Sequence, residues 1–340
     1  MVFLYISNLM LIIHNKIFVI EIRGCCFRLI KCYFIKLIMY HLYKKKILFC
    51  CAAIGIILLL LYPNNMSREM YDNIKKENIL NSLHEKLAVN FTSNAIMDCE
   101  YYDIVYDDTA LSVSMVDGDL EMGHKIKEGG EYGPYECKPK FSTAIIVPYR
   151  DRAEQLRGFL IYMHSFLHQQ CIHYRIYVVE QVDTQPFNRA KLLNIGAVAA
   201  MKAGYPCLIL HDVDLLPLKT ANLYACVNAP RHMSSNINRL RFSLPYSNVF
   251  GGAISIQSKQ YKAINGMSNS YYGLTGDNDD LFSRIEANNL KICRFDQTTS
   301  QKNDPGFSKE RMFKDGLNSL EFTEVATVLH PLFTHIMVDL

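Results

Sequence analysis

Short apolar runs alternate with stretches of helical periodicity through the middle of the chain. The pattern predicts strands at Thr143–Val147, Tyr174–Val179 and Cys207–Leu210, with helices at Glu154–Leu167 and Arg189–Ala203 between them. Strands separated by helices of about 10–15 residues are typical of an α/β fold with a mostly parallel, doubly wound sheet. Ligands of such sheets bind beyond the carboxyl ends of the strands, so candidate chemistry is sought in the segments that follow them.

An uncharged apolar run, Ile47–Tyr62, follows three consecutive lysines that end at Lys46. At about 16 residues the run is at the short end of what spans a bilayer. The lysines on one side favour a type II membrane anchor, with the long C-terminal part across the membrane, over a buried core helix.

The anchor sets the expected domain organisation. We expect a cytosolic tail at 1–46, a transmembrane anchor at 47–62, a polar stem at 63–95 and a luminal domain at 96–340. Met39 would give a compact start, so residues 1–38 are either a spurious extension or part of the cytosolic tail.

Charge is unevenly distributed along the 340 residues. Up to Lys46 there are eight basic residues and one acidic residue, a net of +7, whereas the remainder carries 28 basic and 32 acidic residues, a net of −4. A mildly acidic globular part argues against binding to nucleic acid. Six cysteines beyond the anchor suit an oxidising compartment, and Asn65 and Asn90 begin N-glycosylation sequons.

Charged side chains follow each of the three predicted strands. Arg150 and Arg152 follow the first and could clamp a diphosphate, although a solvated loop with two ion pairs explains them equally well. Phe187 and Arg189 stand at a helix start, where the helix N-terminus favours anions. Asp212 and Asp214 follow the third strand and suit a hard divalent cation held together with substrate phosphates, or else an ordinary acidic turn. Neither a GxxxxGK[ST] loop nor a GxGxxG motif is present.

A second acidic cluster, Asp277-Asn278-Asp279-Asp280, comes after the glycine loop Gly273–Gly276. Its acidic residues could cap the helix that begins near Leu281, and one of them could act as general base towards a sugar hydroxyl.

Taken together, these segments resemble the Golgi β-1,4-galactosyltransferase and β-1,4-N-acetylgalactosaminyltransferase family. The resemblance runs from about Leu87 to Leu340 and rests on eight motifs in order: VPYRDR (147–152), FNRAKLLNIG (187–196), HDVDLLP (211–217), FSLPY (242–246), FGG (250–252), NGMSN (265–269), GLTGDNDD (273–280) and DGLNSL (315–320). It implies a GT-A-type nucleotide-sugar-binding fold with a mostly parallel sheet, preceded by a type II membrane anchor.

The resemblance assigns roles to residues of this chain. Nucleotide contacts fall on Pro148, Tyr149, Arg150, Arg152, Phe187, Arg189, Asp212, Val213 and Leu274. Asp214 matches the metal ligand, Asp277, Asn278 and Asp279 the catalytic cluster, and Tyr246, Val249 and Gly252 the sugar positions. Cys207 and Cys226 match a family disulfide, and Cys137 matches a half-cystine whose usual partner lies upstream, where Cys99 is the only cysteine beyond the anchor.

The reaction implied by the family is an inverting transfer of GalNAc or Gal from the UDP-sugar to a terminal GlcNAc of glycoprotein or glycolipid glycans. A base takes the proton of the acceptor 4-hydroxyl, the oxygen attacks the donor anomeric carbon, and Mn²⁺ neutralises the departing UDP. The implied location is the Golgi membrane, with the catalytic domain luminal. Val249 stands where vertebrate members have Tyr, and this smaller side chain favours UDP-GalNAc over UDP-Gal.

The chain departs from the family in the same site. The family's loop Trp is replaced by Leu274, and the chain contains no Trp at all. Asn278 stands at the position of the catalytic base, Asp277 replaces a Glu, and the Met-x-x-His metal segment is missing between Phe295 and Asp315.

Two explanations of these departures stay open. One is an active transferase whose gene model has lost an exon around Thr298–Pro305. The other is a catalytically degenerate family member that acts as a Golgi sugar-nucleotide-binding or assembly protein.

Overall fold

The computed structural model describes residues 71–107, 126–234, 250–273, 276–295 and 314–340, two strands near the start, and isolated positions between 40 and 53. The chain divides into two compact units, Met1–Met66 and Ser67–Leu340. In the first unit, β1 (Asn8–Ile13) and β2 (Lys16–Glu21) form an antiparallel hairpin. No helix among the described residues is long and apolar enough to cross a bilayer, and the predicted anchor lies almost entirely outside those residues.

The second unit is organised around one mixed sheet. Its described strands are β3 (Asp72–Ile74), β4 (Glu131–Tyr132), β5 (Ser142–Tyr149), β6 (His173–Gln181), β7 (Cys207–His211), β8 (Arg231–His232), β9 (Ala253–Gln257), β10 (Cys293–Phe295), β11 (Thr323–Leu329) and β12 (Thr334–Asp339). They lie in the order β11-β12-β6-β5-β7-β9-β8-β10-β3, with β4 paired to β6. The central strands β12, β6, β5 and β7 are parallel.

Helices connect the central strands. The described α-helices are α1 (Ile79–Ser82), α2 (Tyr102–Tyr106), α3 (Ala153–His168), α4 (Arg189–Lys202), α5 (Ser258–Ala263) and α6 (Asp277–Ala287), with short 3₁₀ helices at Lys76–Asn78 and Leu317–Ser319. The predicted alternation of three strands and two helices is confirmed, with each boundary within two residues of its expected position.

Two hydrophobic clusters cover the two faces of the sheet. Along β5, Ile145 and Val147 face the cluster that includes α3, whereas Ala144 and Ile146 face the cluster that includes α4. Helix α4 approaches the sheet closely at Gly196, where an added Cβ would lie 2.4 Å from Cγ2 of Ile146. Burial on both faces explains why these strands read as continuous apolar runs.

The sheet is mixed and mostly parallel, as expected from the sequence. Its antiparallel pairs are β4 with β6, β7 with β9, β8 with β9 and β11 with β12. Part of the segment expected to be a polar stem, residues 63–95, belongs to the folded unit. From Tyr71 onward it packs on the folded body, with β3 paired to β10 and with Ile79, Leu83 and Ala88 buried. The folded unit therefore begins upstream of residue 96.

Two disulfides stabilise the second unit. Cys99 pairs with Cys137 and Cys207 with Cys226, at Cα–Cα distances of 4.9 and 5.6 Å. Both pairings that the family resemblance suggested are thus confirmed. The second disulfide ties the chain after residue 214 to the start of β7, the strand that leads into Asp212-Val213-Asp214, called here the acidic triplet.

A partly buried ionic cluster around Glu131, on β4, makes the stability of the folded unit sensitive to acid. Glu131 faces Nε2 of His173 at 3.6 Å and also pairs with Arg175. The hydrogen bond from His173, reinforced by the Arg175 charge and opposed by burial, lowers the pKa of Glu131 to about 2. Because this pKa is lower in the folded than in the unfolded chain, the ionised carboxylate contributes about 3 kcal/mol to the free energy of unfolding at neutral pH. This contribution is lost as the pH falls from the unfolded pKa towards 2.

We therefore expect Glu131→Gln to cost most at pH 7 and progressively less below about pH 4.5. Urea unfolding of both proteins at pH 7 and pH 3 measures this difference. Glu85→Gln is the matched control, because Glu85 makes an exposed 3.5 Å contact with Lys140. A cost of Glu131→Gln that is independent of pH would contradict the assignment.

Candidate functional site

Three loops meet at one edge of the sheet. Because β5 pairs in parallel with both β6 and β7, the carboxyl ends of these strands lie side by side. The loops after them carry Arg150 and Arg152, Phe187, and Asp212 and Asp214, all of which were sequence candidates. This edge is where α/β sheets bind ligands.

Arg189 links this edge to the second acidic cluster. It is the first residue of α4, whose N-cap Asn188 accepts a hydrogen bond from the backbone N–H of Lys191 at 3.0 Å. Its Nε donates to Oδ1 of Asp212 at 2.7 Å, and its Nη1 donates to Oδ2 of Asp277 at 2.8 Å. The same Nη1 lies 3.3 Å from Oδ1 of Asn278. The two acidic motifs thus belong to one site.

The charges of this cluster are mutually dependent. Burial alone would lower the pKa of Arg189, but Asp212 and Asp277 outweigh it and raise the pKa above its ordinary value. Arg189 therefore stays charged, and Asp277, which is itself buried, serves as its counter-ion. Helix α6 begins at Asp277, and its N-cap is Gly276, which has no side chain. The Asp277 carboxylate therefore pairs with Arg189 and does not cap the helix.

The arginine loop is held by its neighbours. Tyr149 accepts a hydrogen bond from the backbone N–H of Arg152 at 3.3 Å. Arg150 donates to the carbonyl of Gln185 at 2.7 Å and lies over the ring of Phe187, 5.3 Å from its centroid. Pro148 is the penultimate, buried residue of β5. These contacts fix one arginine to the loop after β6 and leave Arg152 half exposed.

The acidic triplet has one buried and two accessible side chains. Val213 is buried, whereas the side chains of Asp212 and Asp214 are 31% and 51% exposed. Asp214 Oδ2 lies 3.5 Å from Nη1 of Arg152. His211, just before the triplet, has both ring nitrogens engaged, with Tyr224 Oη and the Asp212 carbonyl each at 2.8 Å, and burial lowers its pKa.

The first of the two glycines before β9 lies directly against Asn278. A Cβ on Gly251 would fall 2.5–2.7 Å from the side-chain amide of Asn278. Gly252 has φ +79° and its carbonyl accepts from the Asp212 backbone N–H at 2.9 Å. Residues larger than glycine are excluded here because the backbone passes between the acidic triplet and α6.

A divalent cation has only a partial set of protein ligands here. Among the described residues no group of three or more His, Cys, Asp and Glu side chains comes together. Asp214 and Asp212 offer carboxylate oxygens, which suit a hard cation that is also bound by phosphate oxygens. The residues therefore fit a cation that is completed by a diphosphate ligand.

Some sequence candidates lie outside the described residues, namely Tyr246, Val249, Leu274 and Asn65. Asn90 is exposed in a turn, and the ring of the next residue, Phe91, stacks on His173 at 4.0 Å between centroids.

Two contacts of the site were missed by sequence reasoning. The Arg189–Asp277 pair joins positions 88 residues apart, and no local pattern signals it. Asp280 and Arg284 form a buried pair at 2.5 Å, which their i,i+4 spacing on α6 could have indicated.

Comparison with known proteins agrees with this geometry. Residues 104–227 match the family described as the N-terminal region of glycosyl transferase group 7, and residues 231–305 match the N-terminal domain of galactosyltransferase. Mouse beta-1,4-galactosyltransferase 1 is 39% identical over 245 residues, which is 65% of this chain and 61% of that protein. Beta-1,4-galactosyltransferase 2 of Cricetulus griseus is 39% identical over 232 residues, 62% of this chain and 63% of that protein.

A solved structure is similar as well. It is a mutant of Drosophila beta-1,4-galactosyltransferase 7 in complex with manganese, UDP-Gal and xylobiose, with a TM-score of 0.50 and 29% identity over 59% of this chain and 94% of that chain. The match indicates a GT-A-like fold with a mixed, mostly parallel sheet. The chain spans about three fifths of the length of the curated relatives that it matches. By the family matches and these identities, the chain belongs to the β-1,4-galactosyltransferase family.

Proposed function

We propose that this chain is an inverting β-1,4-glycosyltransferase that moves GalNAc or Gal from the UDP-sugar to a terminal GlcNAc of glycoprotein or glycolipid glycans. The observation that carries the proposal is the position of Arg189, which joins the acidic triplet to the first turn of α6. The two motifs that would hold the donor and face the acceptor are thereby held together in one site. The family matches and the solved complex with UDP-Gal support this reading.

The donor nucleotide would be held by the loops at the sheet edge. Arg150 and Arg152 supply positive charge for the diphosphate, and guanidinium groups pair well with phosphate oxygens. Val213 would form part of the wall beside the nucleoside, with Tyr149 at the end of β5 and Phe187 in the loop after β6. Because Arg150 already bonds the Gln185 carbonyl, it is fixed in place before a ligand arrives.

Asp214, with Asp212, would hold Mn²⁺ together with the diphosphate. When bound, the cation would neutralise the negative charge that develops on the departing UDP. That the solved relative is a manganese complex supports this assignment.

Neither of the first two residues of the catalytic cluster is an effective base. Asn278 is an amide and cannot take a proton at neutral pH, and Asp277 is buried against Arg189. The donor would therefore bind, while deprotonation of the acceptor hydroxyl is slow. We expect transfer that is detectable but poor.

Asn278 and Asp277 also favour a second candidate function. If turnover is absent, the chain acts as a catalytically degenerate Golgi protein that binds sugar nucleotide or assists assembly. The commitment of Asp277 to Arg189 supports this alternative, since it leaves the first turn of α6 built for structure rather than proton transfer.

The proposed location is the Golgi membrane, as a single-pass type II protein with the folded unit luminal. The lysines before Ile47 and the apolar run after them support this topology. The two disulfides support an oxidising compartment.

Transfer from UDP-[³H]GalNAc and UDP-[³H]Gal to a GlcNAc acceptor, with MnCl₂ and the full chain, tests the proposal. Product above the acceptor-free background supports the transferase. UDP binding without product supports the degenerate alternative, and the absence of both binding and transfer in folded protein refutes the proposal.

Donor choice is predicted from Val249. The smaller side chain leaves room beside the sugar 2-position, so we expect UDP-GalNAc to be the better donor, and Val249→Tyr to shift the preference towards UDP-Gal by about 10-fold. The ratio of initial rates with the two donors measures this effect. Val325→Tyr, on the exposed strand β11, is the control. A Val249→Tyr variant that kept its preference for UDP-GalNAc would count against the assignment.

A further inference from the structure

Two side chains at and just after the end of β8 hold the backbone turn formed by residues 250–252, which leads into β9. We propose that His232 and Ser234 are positioning residues of the transfer site, because they fix the Gly251 carbonyl and so hold this turn between the acidic triplet and the start of α6. This role rests on the proposed function for its ligand, a UDP-sugar.

The Gly251 carbonyl is bonded by both side chains. Nε2 of His232 donates to it at 3.0 Å, and the Ser234 hydroxyl donates to it at 2.8 Å. The same hydroxyl oxygen accepts a hydrogen bond from the backbone N–H of Ala253 at 3.0 Å. Ser234 therefore bonds the peptide groups on both sides of Gly252, whose φ of +79° favours glycine.

The imidazole of His232 is a neutral donor. It is buried, with its ring edge-on to that of Phe250 at 5.7 Å between centroids. Burial and the charge of Arg294 lower its pKa to about 3, although the bond to Gly251 opposes this shift. Because a carbonyl oxygen only accepts, the proton of the neutral ring is on Nε2. In the described part of the chain Nδ1 has no hydrogen-bond partner, so the polar contacts of the ring are with Gly251 and Ser234.

The turn contacts both acidic motifs of the site. A Cβ on Gly251 would lie 2.5–2.7 Å from the side chain of Asn278, and the Gly252 carbonyl accepts from the Asp212 backbone N–H at 2.9 Å. A shift of the Gly251 carbonyl would therefore move backbone that packs against the first turn of α6 and bonds the acidic triplet. Displacements of about 1 Å are enough to impair a reactive geometry.

A histidine that serves only the core has a different expected effect. His164 is the comparison within this chain, because it is buried, its Nε2 lies 2.7 Å from the Leu332 carbonyl and its Nδ1 lies 2.8 Å from the Tyr174 hydroxyl. Loss of either imidazole should lower the free energy of unfolding, since a buried carbonyl loses its donor. Only loss of the His232 imidazole should change how the sugar of the donor is bound, so His164→Leu is the matched control.

The test compares the affinities of the full chain for UDP and for UDP-GalNAc by isothermal titration calorimetry. His232→Leu and Ser234→Ala should bind UDP within about 3-fold of wild type but UDP-GalNAc about 10-fold more weakly, because the nucleotide loops are intact while the sugar loses its fitted surface. His232→Gln, which supplies an amide N–H near the position of Nε2, should restore the wild-type ratio of the two affinities. His164→Leu should leave that ratio unchanged.

Two outcomes would overturn the assignment. One is an unchanged ratio in folded Ser234→Ala and His232→Leu, and the other is a ratio that changes as much in His164→Leu as in His232→Leu. Ser234→Ala keeps the test decisive if His232→Leu does not fold, because it removes one hydroxyl from a partly exposed residue.

Failure of the proposed function gives a different result, since folded wild type then binds neither UDP nor UDP-GalNAc. Hydrogen exchange of the Asp212 amide, which bonds the Gly252 carbonyl, still reports on the turn without any ligand. Its exchange should be about 10-fold faster in Ser234→Ala and His232→Leu and close to wild type in His232→Gln. Unchanged exchange in Ser234→Ala and His232→Leu would refute the positioning role.

Discussion

Asn278→Asp is expected to raise the rate of sugar transfer by about 100-fold or more, because a positioned general base contributes on the order of 10²–10⁴. Asp277 is buried and bonded to Nη1 of Arg189 at 2.8 Å, whereas the new carboxylate would be partly exposed and would replace an amide oxygen 3.3 Å from that nitrogen. It would also lie directly against Gly251. Initial rates with UDP-GalNAc and a GlcNAc acceptor measure the effect.

The matched control is Asn228→Asp, which adds the same charge at an exposed position after Cys226. It should leave the transfer rate and UDP binding unchanged. If Asn278→Asp folds and binds UDP but transfers no faster than wild type, the missing base does not limit this chain. The cause would then lie elsewhere in the site, for instance at Leu274.

Arg189→Met is expected to destabilise the folded unit by about 3–5 kcal/mol, because removing one partner of a buried ion pair leaves the other charge uncompensated. Here two carboxylates would be left, those of Asp277 and Asp212, with side chains 5% and 31% exposed. The same change should abolish UDP binding, since the acidic triplet and α6 would no longer be joined. Urea unfolding monitored by circular dichroism gives the first quantity.

Arg152→Met is the control for Arg189→Met. It removes an arginine from the same site, but one that is half exposed and weakly paired, so its cost should stay below about 1 kcal/mol. A cost below about 1 kcal/mol for Arg189→Met as well would show that the buried pair does not organise the site.

The central α/β unit could be predicted from the sequence because its signals are local. Strands β5, β6 and β7 are buried on both faces and so read as short apolar runs, and α3 and α4 carry helical periodicity between them. The residues after these strands follow from the geometry of a parallel sheet. The sequence therefore predicts that Arg150, Arg152, Asp212 and Asp214 form one group.

The rest of the fold depends on long-range contacts. Strand β3 has three residues and pairs with β10, some 220 positions further along the chain, so nothing local distinguishes it from a polar stem. The sequence of β9 has the apolar pattern of any buried strand. Its antiparallel direction cannot be predicted from that pattern, because it is defined only relative to its partner β7. The role of Asp277 was undetermined for the same reason, since its partner Arg189 lies on a different helix.

The departures from the family concern chemistry rather than folding. Arg189 bonds Asp212 and Asp277, with Asn278 as a longer third contact, and both disulfides are present. A donor site with an impaired acceptor side is consistent both with a lost exon near Thr298–Pro305 and with a degenerate paralogue. Sequencing the transcript across residues 294–310 distinguishes these two origins.

The central claim is that the edge formed by β5, β6 and β7 binds a UDP-sugar. Equilibrium binding of UDP-GalNAc to the full chain, compared with the double variant Arg150→Ala/Arg152→Ala, tests it most directly. The account predicts one saturable site in wild type and at least a 10-fold loss of affinity in the double variant, with Lys140→Ala unchanged. A folded wild-type chain that binds no UDP-GalNAc, or one whose affinity survives loss of both arginines, would contradict it.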